Sequence, residues 1–298
     1  MKKMSMKTLA IFTLIFTGLA FYGCEESTND INKSADGPGK LKILLTDAPF
    51  PTDLVDEANV VINKIDIRNQ NHEDDGYPFI TLMEEEMSFN LLELTNGVTA
   101  ELVDIELDSG SYDLVRLYVS EASILLKDGT EHDLFVPSGA QTGIKIFIDP
   151  AVMVAGGLTP ELILDFNVSK SFIVKGNPNS PAGIKGFIFK PVIKATNKAT
   201  SGRLTGYITD TSAVALEEAE VSLLVADTVY TSSFTDTLGA YSVIGVDAGT
   251  YDVAFTREEF VSDTIMDVEI IEGNTTNLDA QLTPLEEEEE NEEGEEGA

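Results

Sequence analysis

Short runs of β-branched, aromatic and aliphatic residues recur along this chain, and each is closed by a turn signal. Residues 60–67 mix a buried run with alternation, and residues 102–107 and 114–119 alternate. Residues 143–147, 162–166 and 186–193 are further short runs of the same kind. Between them stand Asp128-Gly129, Pro137-Ser138-Gly139, Gly156-Gly157 and Asn177-Pro178-Asn179. Alternation with period two sends successive side chains to opposite faces of a strand. Short strands at this spacing predict a sandwich or barrel. Two segments, one around Ala58 and one over residues 97–103, read as short helices. Ordered sequence begins at Leu41-Lys42-Ile43-Leu44-Leu45, and a polar break falls at residues 196–202. The expected fold is all-β, with two β-sandwich domains in tandem at 40–195 and 202–284. A flexible tether would precede them at 24–39, and a disordered Glu-rich tail would follow at 285–298.

The start of the chain points to where the protein works. Lys2, Lys3 and Lys7 precede an apolar run over residues 9–22, the layout of a secretory signal peptide. The run is too short for a spanning helix, which needs roughly 20 residues. Phe21-Tyr22-Gly23-Cys24 follows, then Glu25-Glu26-Ser27-Thr28. This resembles the lipobox of bacterial lipoproteins, with Phe21 in place of the usual Leu. The resemblance implies cleavage after residue 23 and lipidation of Cys24. Several acyl chains there would hold lastingly, where one chain holds only marginally. Cys24 is the one cysteine in the sequence, which excludes an intrachain disulfide and a multi-cysteine zinc site. The expected location is the outer membrane, lipid-anchored and facing the cell surface, with the periplasmic face as the alternative.

Charge narrows the partners. The formal net charge is −33. Nine glutamates lie in residues 286–296, so the body stays strongly acidic without them. Such a field repels nucleic acid and concentrates cations. Hydrophobic content of 43% is ample for packed cores. The expected partners are the membrane, through the lipid anchor, and a carbohydrate or protein ligand.

One internal echo is structural. Ser109-Gly110-Ser111-Tyr112-Asp113-Leu114-Val115 is matched by Ala248-Gly249-Thr250-Tyr251-Asp252-Val253-Ala254. A tyrosine at a strand start can bury its ring and send its hydroxyl back to a nearby backbone group, a corner device of Greek-key sandwiches. Ligand stacking is the functional alternative.

The second unit carries Gly202-Arg203-Leu204-Thr205-Gly206-Tyr207-Ile208, Ala219-Glu220-Val221-Ser222-Leu223, Thr235-Asp236-Thr237-Leu238-Gly239-Ala240-Tyr241 and Gly249-Thr250-Tyr251-Asp252-Val253. It resembles the carboxypeptidase regulatory-like (prealbumin-like) module, which implies a seven-stranded, non-catalytic sandwich. Asp236 can cap the turn and Gly239 can take positive φ. The usual glycine before the second strand is replaced by Leu216-Glu217-Glu218. The first unit carries Leu45-Thr46-Asp47-Ala48-Pro49, Asn90-Leu91-Leu92-Glu93-Leu94, Val136-Pro137-Ser138-Gly139-Ala140-Gln141-Thr142-Gly143-Ile144-Lys145, Leu164-Asp165-Phe166-Asn167 and Phe189-Lys190-Pro191-Val192-Ile193. It resembles a family of bacterial lipoprotein domains of unknown function, which supplies no activity.

No reaction centre emerges. His72 and His132 are the two histidines and lie far apart in sequence; His72 reads as a loop residue, with metal ligation as the sharper alternative. Ser138 lacks the flanks of a nucleophile elbow. No phosphate loop, HExxH or EF-hand pattern is present. Carboxylates are too abundant for one glycosidase pair to stand out, and the absence of Trp counts against a sugar platform. Asp128-Gly129-Thr130-Glu131 reads as a solvated turn before a calcium loop. Lys145 and Lys190, in apolar strands, either pair with Asp47 or Asp165 or lie on the wet face. The expected catalytic residues, metal ligands and cofactors are therefore none. The sequence favours a non-enzymatic surface lipoprotein that binds, in a carbohydrate-binding-like manner, or serves as an envelope scaffold. The alternatives are a glycan-processing component and a subunit of a fimbria-like assembly.

Overall fold

The computed structural model describes residues 37–48, 54–70, 79–136, 139–177 and 183–285. Cys24 and its leader, His72, Ser138 and the tail beyond Leu285 lie outside the described residues. The first domain contains β1 (Gly39–Ala48), β2 (Val55–Asn69), β3 (Phe79–Met83), β4 (Met87–Asn90), β5 (Ala100–Leu107), β6 (Gly110–Leu126), β7 (Glu131–Asp133), β8 (Ile144–Val154), β9 (Glu161–Asn167), β10 (Phe172–Gly176), β11 (Ile184–Phe189) and β12 (Ile193–Asn197). Two single-turn α-helices, α1 (Gly139–Thr142) and α2 (Val168–Ser171), and a 3-10 turn at Leu91–Leu94 interrupt them.

The main sheet runs β3-β2-β6-β8-β12-β9-β1-β5, with β4 added to β2 and β7 to β6. The long strands β2 and β6 carry several register shifts against each other, which bend them. The sheet folds around one core, and β3 meets β5 across it. Leu41, Ile43 and Leu45 of β1, Val115, Leu117 and Val119 of β6, and Leu162, Leu164 and Phe166 of β9 point inward at every second position. Neither expected short helix forms. Ala58 lies inside β2, and residues 100–107 pair with β1 as strand β5. Burying Leu102, Val103 and Leu107 in the core outweighs the local helical pattern.

The second domain contains β13 (Ser201–Asp210), β14 (Glu220–Val225), β15 (Thr228–Phe234), β16 (Ala240–Asp247), β17 (Gly249–Thr256), β18 (Phe260–Val261), β19 (Asp263–Ile270), β20 (Thr275–Asn277) and β21 (Ala280–Pro284). One sheet runs β16-β13-β21-β18 with β20 beside β13, and the other runs β15-β14-β17-β19. Their inner faces enclose Leu204, Ile208, Tyr241, Val221, Leu223, Val253 and Phe255. At Gly206 a side chain has no room, because a Cβ would stand 1.9 Å from the Leu278 carbonyl oxygen.

The echoed tyrosines are paired devices. Tyr112 Oη donates to the Asp108 carbonyl and Tyr251 Oη to the Asp247 carbonyl, each at 2.9 Å and each four residues upstream. Both rings are buried, so the structural reading holds over ligand stacking. Asp236 Oδ1 accepts from the backbone N–H groups of Leu238 and Ala240, with Gly239 at φ +73°. Asp210 repeats this turn, accepting from Ser212 and Val214, but Ala213 holds the left-handed position at φ +62°. Glu218 likewise takes φ +57° in the turn where a glycine is usual.

Candidate functional site at the seam between the domains

Strands β12, β9 and β1 place one patch on the outer face of the first domain. The register sets Lys194 beside Asp165 and Thr196 beside Ile163, then Ile163 beside Leu44 and Asp165 beside Thr46. Period-two alternation puts these six side chains outward, while Leu45, Leu164 and Ala195 go to the core. Strands β15 and β16 of the second domain cover this patch. Leu44 and Ile163 are buried beneath it, and a Cβ at Gly245 would touch Ile163 at 3.7 Å.

A turn from the first domain closes the second. Thr46 Oγ1 lies 3.0 and 2.9 Å from the carbonyls of Leu94 and Val98, pinning the turn Asn96-Gly97. Both turn residues have positive φ, +55° and +77°. Asn96 Oδ1 accepts from the Ser242 backbone N–H at 2.5 Å, and Asn96 Nδ2 donates to the Ala240 carbonyl at 3.3 Å. Because β16 is an edge strand, the asparagine side chain serves as one more rung on its ladder.

Two carboxylates sit at the centre. Asp47, only 5% exposed, accepts from the Val168 N–H through Oδ1 at 3.0 Å. Its Oδ2 and Asp165 Oδ1 are both buried without a hydrogen-bond partner. Burial, and then the Asp165 charge, pushes the Asp47 carboxyl well above the usual range. Burial pushes Asp165 up to about 6, opposed by the Lys194 charge, the Ala48 backbone and Lys170. The Lys194 amine is held by the Tyr230 hydroxyl and by Asp247 Oδ2 at 2.7 Å. Tyr230 Oη donates to the same oxygen at 2.8 Å. The Lys170 amine donates to the Val229 carbonyl. Thr231, Ser232, Ser233 and Ser242 of the second domain line, together with the acid pair, a space of roughly one water molecule.

The sequence-based candidates resolve in part. Lys145 and Lys190 are exposed, so neither joins Asp47 or Asp165, and the wet-face reading holds. Sequence reasoning missed Lys194, whose outward parity is set by β12 starting afresh after Pro191. His132 packs edge-on against Phe187 at 5.5 Å. Asp128 Oδ1 accepts from the Thr130 N–H, and its bonds to Thr130 hold its pKa low in an exposed turn. No group of three or more His, Cys, Asp or Glu side chains that could hold a metal occurs among the described residues. Beside the acid pair the seam opens into a groove. Its floor is Leu44, Ile163 and Ile244; Thr99, Lys198 and Arg203 line its walls.

Three of the solved structures similar to this chain are each 20% identical to it or less over the aligned residues. A type II cohesin–X-dockerin complex of Acetivibrio cellulolyticus is 20% identical, over 27% of this chain and 56% of that one, with a TM-score of 0.22. A Bacteroides uniformis protein reported as a candidate carbohydrate binder is 19% identical, over 28% and 41%, with a TM-score of 0.25. The shaft pilin SpaA of Lactobacillus rhamnosus GG is 11% identical, over 83% and 98%, with a TM-score of 0.26. This chain spans about half the length of the first two. No curated protein matches it. The carboxypeptidase regulatory-like domain model matches residues 203–283. Its other domain matches, over residues 38–191, the model of the domain of unknown function DUF4382, and the chain belongs to that family.

Proposed function

We propose that this protein is a lipid-anchored lipoprotein of the outer membrane, held by Cys24, that works by binding rather than by catalysis. The observation that carries the binding reading is the use made of the acid pair. Asp47 and Asp165 are the kind of raised-pKa carboxylates that serve as proton donors in a reaction. Here the second domain closes over them: the space the two acids share is that of about one water, and the wider cavity that Asp165 also lines holds Lys170, Lys194 and Tyr230 and no second carboxylate. The two domains then act as one body, and the ligand contact falls in the adjoining groove. Pockets at domain junctions with an apolar floor and a few polar groups are the usual form of a ligand site. Arg203 at the wall makes no ion pair among the described residues. The groove suits a hydroxylated ligand such as a glycan, with Arg203 and the hydroxyl of Thr99 as its polar contacts.

A glycan array on residues 25–298 tests the binding. The expected result is retention of a subset of glycans, weakened in Arg203→Ala. Turnover of a glycan or ester that survives repurification would overturn the non-enzymatic reading. The anchor has its own test, because Cys24→Ala should release the protein from the membrane fraction. Unchanged processing and membrane association in that variant would refute lipidation.

A further inference from the structure

The acid pair leaves a charge problem that the folded chain does not solve by itself. Asp47 Oδ2 and Asp165 Oδ1 are buried and accept no hydrogen bond. An uncompensated buried carboxylate is costly, so such groups are protonated, paired or bound to a metal. The nearby amines are spent elsewhere: Lys194 on Tyr230 and Asp247, and Lys170 on the Val229 carbonyl. Neither reaches the two free oxygens within hydrogen-bond distance.

The surroundings favour a cation. Besides the two carboxylates, the space is lined by the hydroxyl-bearing residues Thr231, Ser232 and Ser233. Thr231 and Ser233 are themselves buried. Every polar atom there is an oxygen or an amide, with no sulfur and no imidazole, which selects a hard cation. The space is that of about one water. Magnesium keeps several of its waters and demands near-ideal octahedral geometry, so it has no room here. Calcium tolerates irregular oxygen sets, and its double charge matches two carboxylates.

We propose that Asp47 and Asp165 bind one calcium ion at the seam, in a space that Thr231, Ser232 and Ser233 of the second domain also line. The first domain supplies the charges, and the second supplies the lid, so the ion ties the two domains together. The site adjoins the glycan groove, sharing Gly97 and Ile244 with it, but its test does not depend on any glycan being bound.

The test uses residues 25–298, stripped with chelator and titrated with calcium chloride at about 0.15 M salt, where diffuse binding to the acidic surface is screened. Calorimetry should give one tight equivalent, and calcium should raise the melting temperature. Asp47→Asn and Asp165→Asn should each weaken that equivalent at least tenfold, while Asp128→Asn, in the solvated turn, should leave it unchanged. Far-UV circular dichroism checks that the variants fold. A second measurement needs no variant: the chain has no Trp, so terbium emission excited through tyrosine reports on a site near Tyr230. Emission that calcium displaces with one-to-one stoichiometry supports the site. Calcium binding equal in wild type and both seam variants would assign the ion to surface acids and overturn the proposal. So would a stripped protein whose melting temperature ignores calcium at neutral pH, since the pair would then be neutralised without a metal.

Discussion

Replacing Tyr112 by Phe removes one hydroxyl and keeps the buried ring. The lost bond is the 2.9 Å contact from Tyr112 Oη to the Asp108 carbonyl. A typical intramolecular hydrogen bond contributes about 0.5–1.5 kcal/mol net. Tyr112 also hydrogen-bonds the side chain of Asn69, which is 1% exposed, so that buried amide loses one partner as well. Taking a partner from a buried polar group costs about 1–3 kcal/mol. Tyr112→Phe should therefore destabilise the first domain by about 1.5–3 kcal/mol. Tyr251→Phe, which loses the single bond to the Asp247 carbonyl, should cost about 1 kcal/mol. In a domain of some 80 residues, about 1 kcal/mol lowers the melting temperature by roughly 4–8 °C, against 2–4 °C in one twice that size. Calorimetric melting of the soluble chain measures both shifts, with Tyr207→Phe as the control because Tyr207 is 57% exposed. If Tyr112→Phe melts like the control, the tyrosine-corner argument is refuted.

Three further outcomes follow from particular backbone and charge environments. Ala213→Gly should raise the urea midpoint, with a gain of about 0.5 kcal/mol, because Ala213 holds φ +62° where its twin is Gly239; a lower midpoint would contradict the twin-turn reading. Gly206→Ala should prevent cooperative folding of the second domain, since its Cβ would fall 1.9 Å from the Leu278 carbonyl oxygen; a normal melting transition would contradict that packing. In chelator, the protein should melt higher at pH 5 than at pH 7. Asp165 has a folded-state pKa of about 6, above the usual value near 4, so its stabilising contribution is full below about pH 4 and is lost as pH rises through about 6. Asp165→Asn should flatten that slope, and an unchanged slope would remove Asp165 as its source.

How much of this was legible in the sequence depends on whether a feature is local. Asp236, Gly239 and the tyrosine pair declare themselves within five residues, because turn geometry and an i−4 hydroxyl bond are short-range. Strand periodicity likewise identified the all-β class. The seam was not legible. Asp47, Asp165, Lys194 and Asn96 come from separate stretches and meet only through register, and whether a face is wet or covered depends on the other domain. Lys145 and Lys190 illustrate the difference, since apolar neighbours on both sides cannot tell which face a lysine takes. Residues 97–103 failed for a related reason: pairing with β1 decided their conformation.

The docked seam is the central claim, and the exchange rate of one amide tests it most directly. Ser242 lies on the edge strand β16, and its N–H is donated to the Asn96 side chain of the other domain. An unpaired edge amide exchanges quickly, whereas one held across a buried interface opens only with that interface. Hydrogen exchange by NMR on residues 25–298 should find Ser242 strongly protected, and Asn96→Ala should speed its exchange at least tenfold while leaving the core amide of Val253 unchanged. Rapid exchange at Ser242 in the unaltered protein, equal to that in Asn96→Ala, would contradict the docked arrangement.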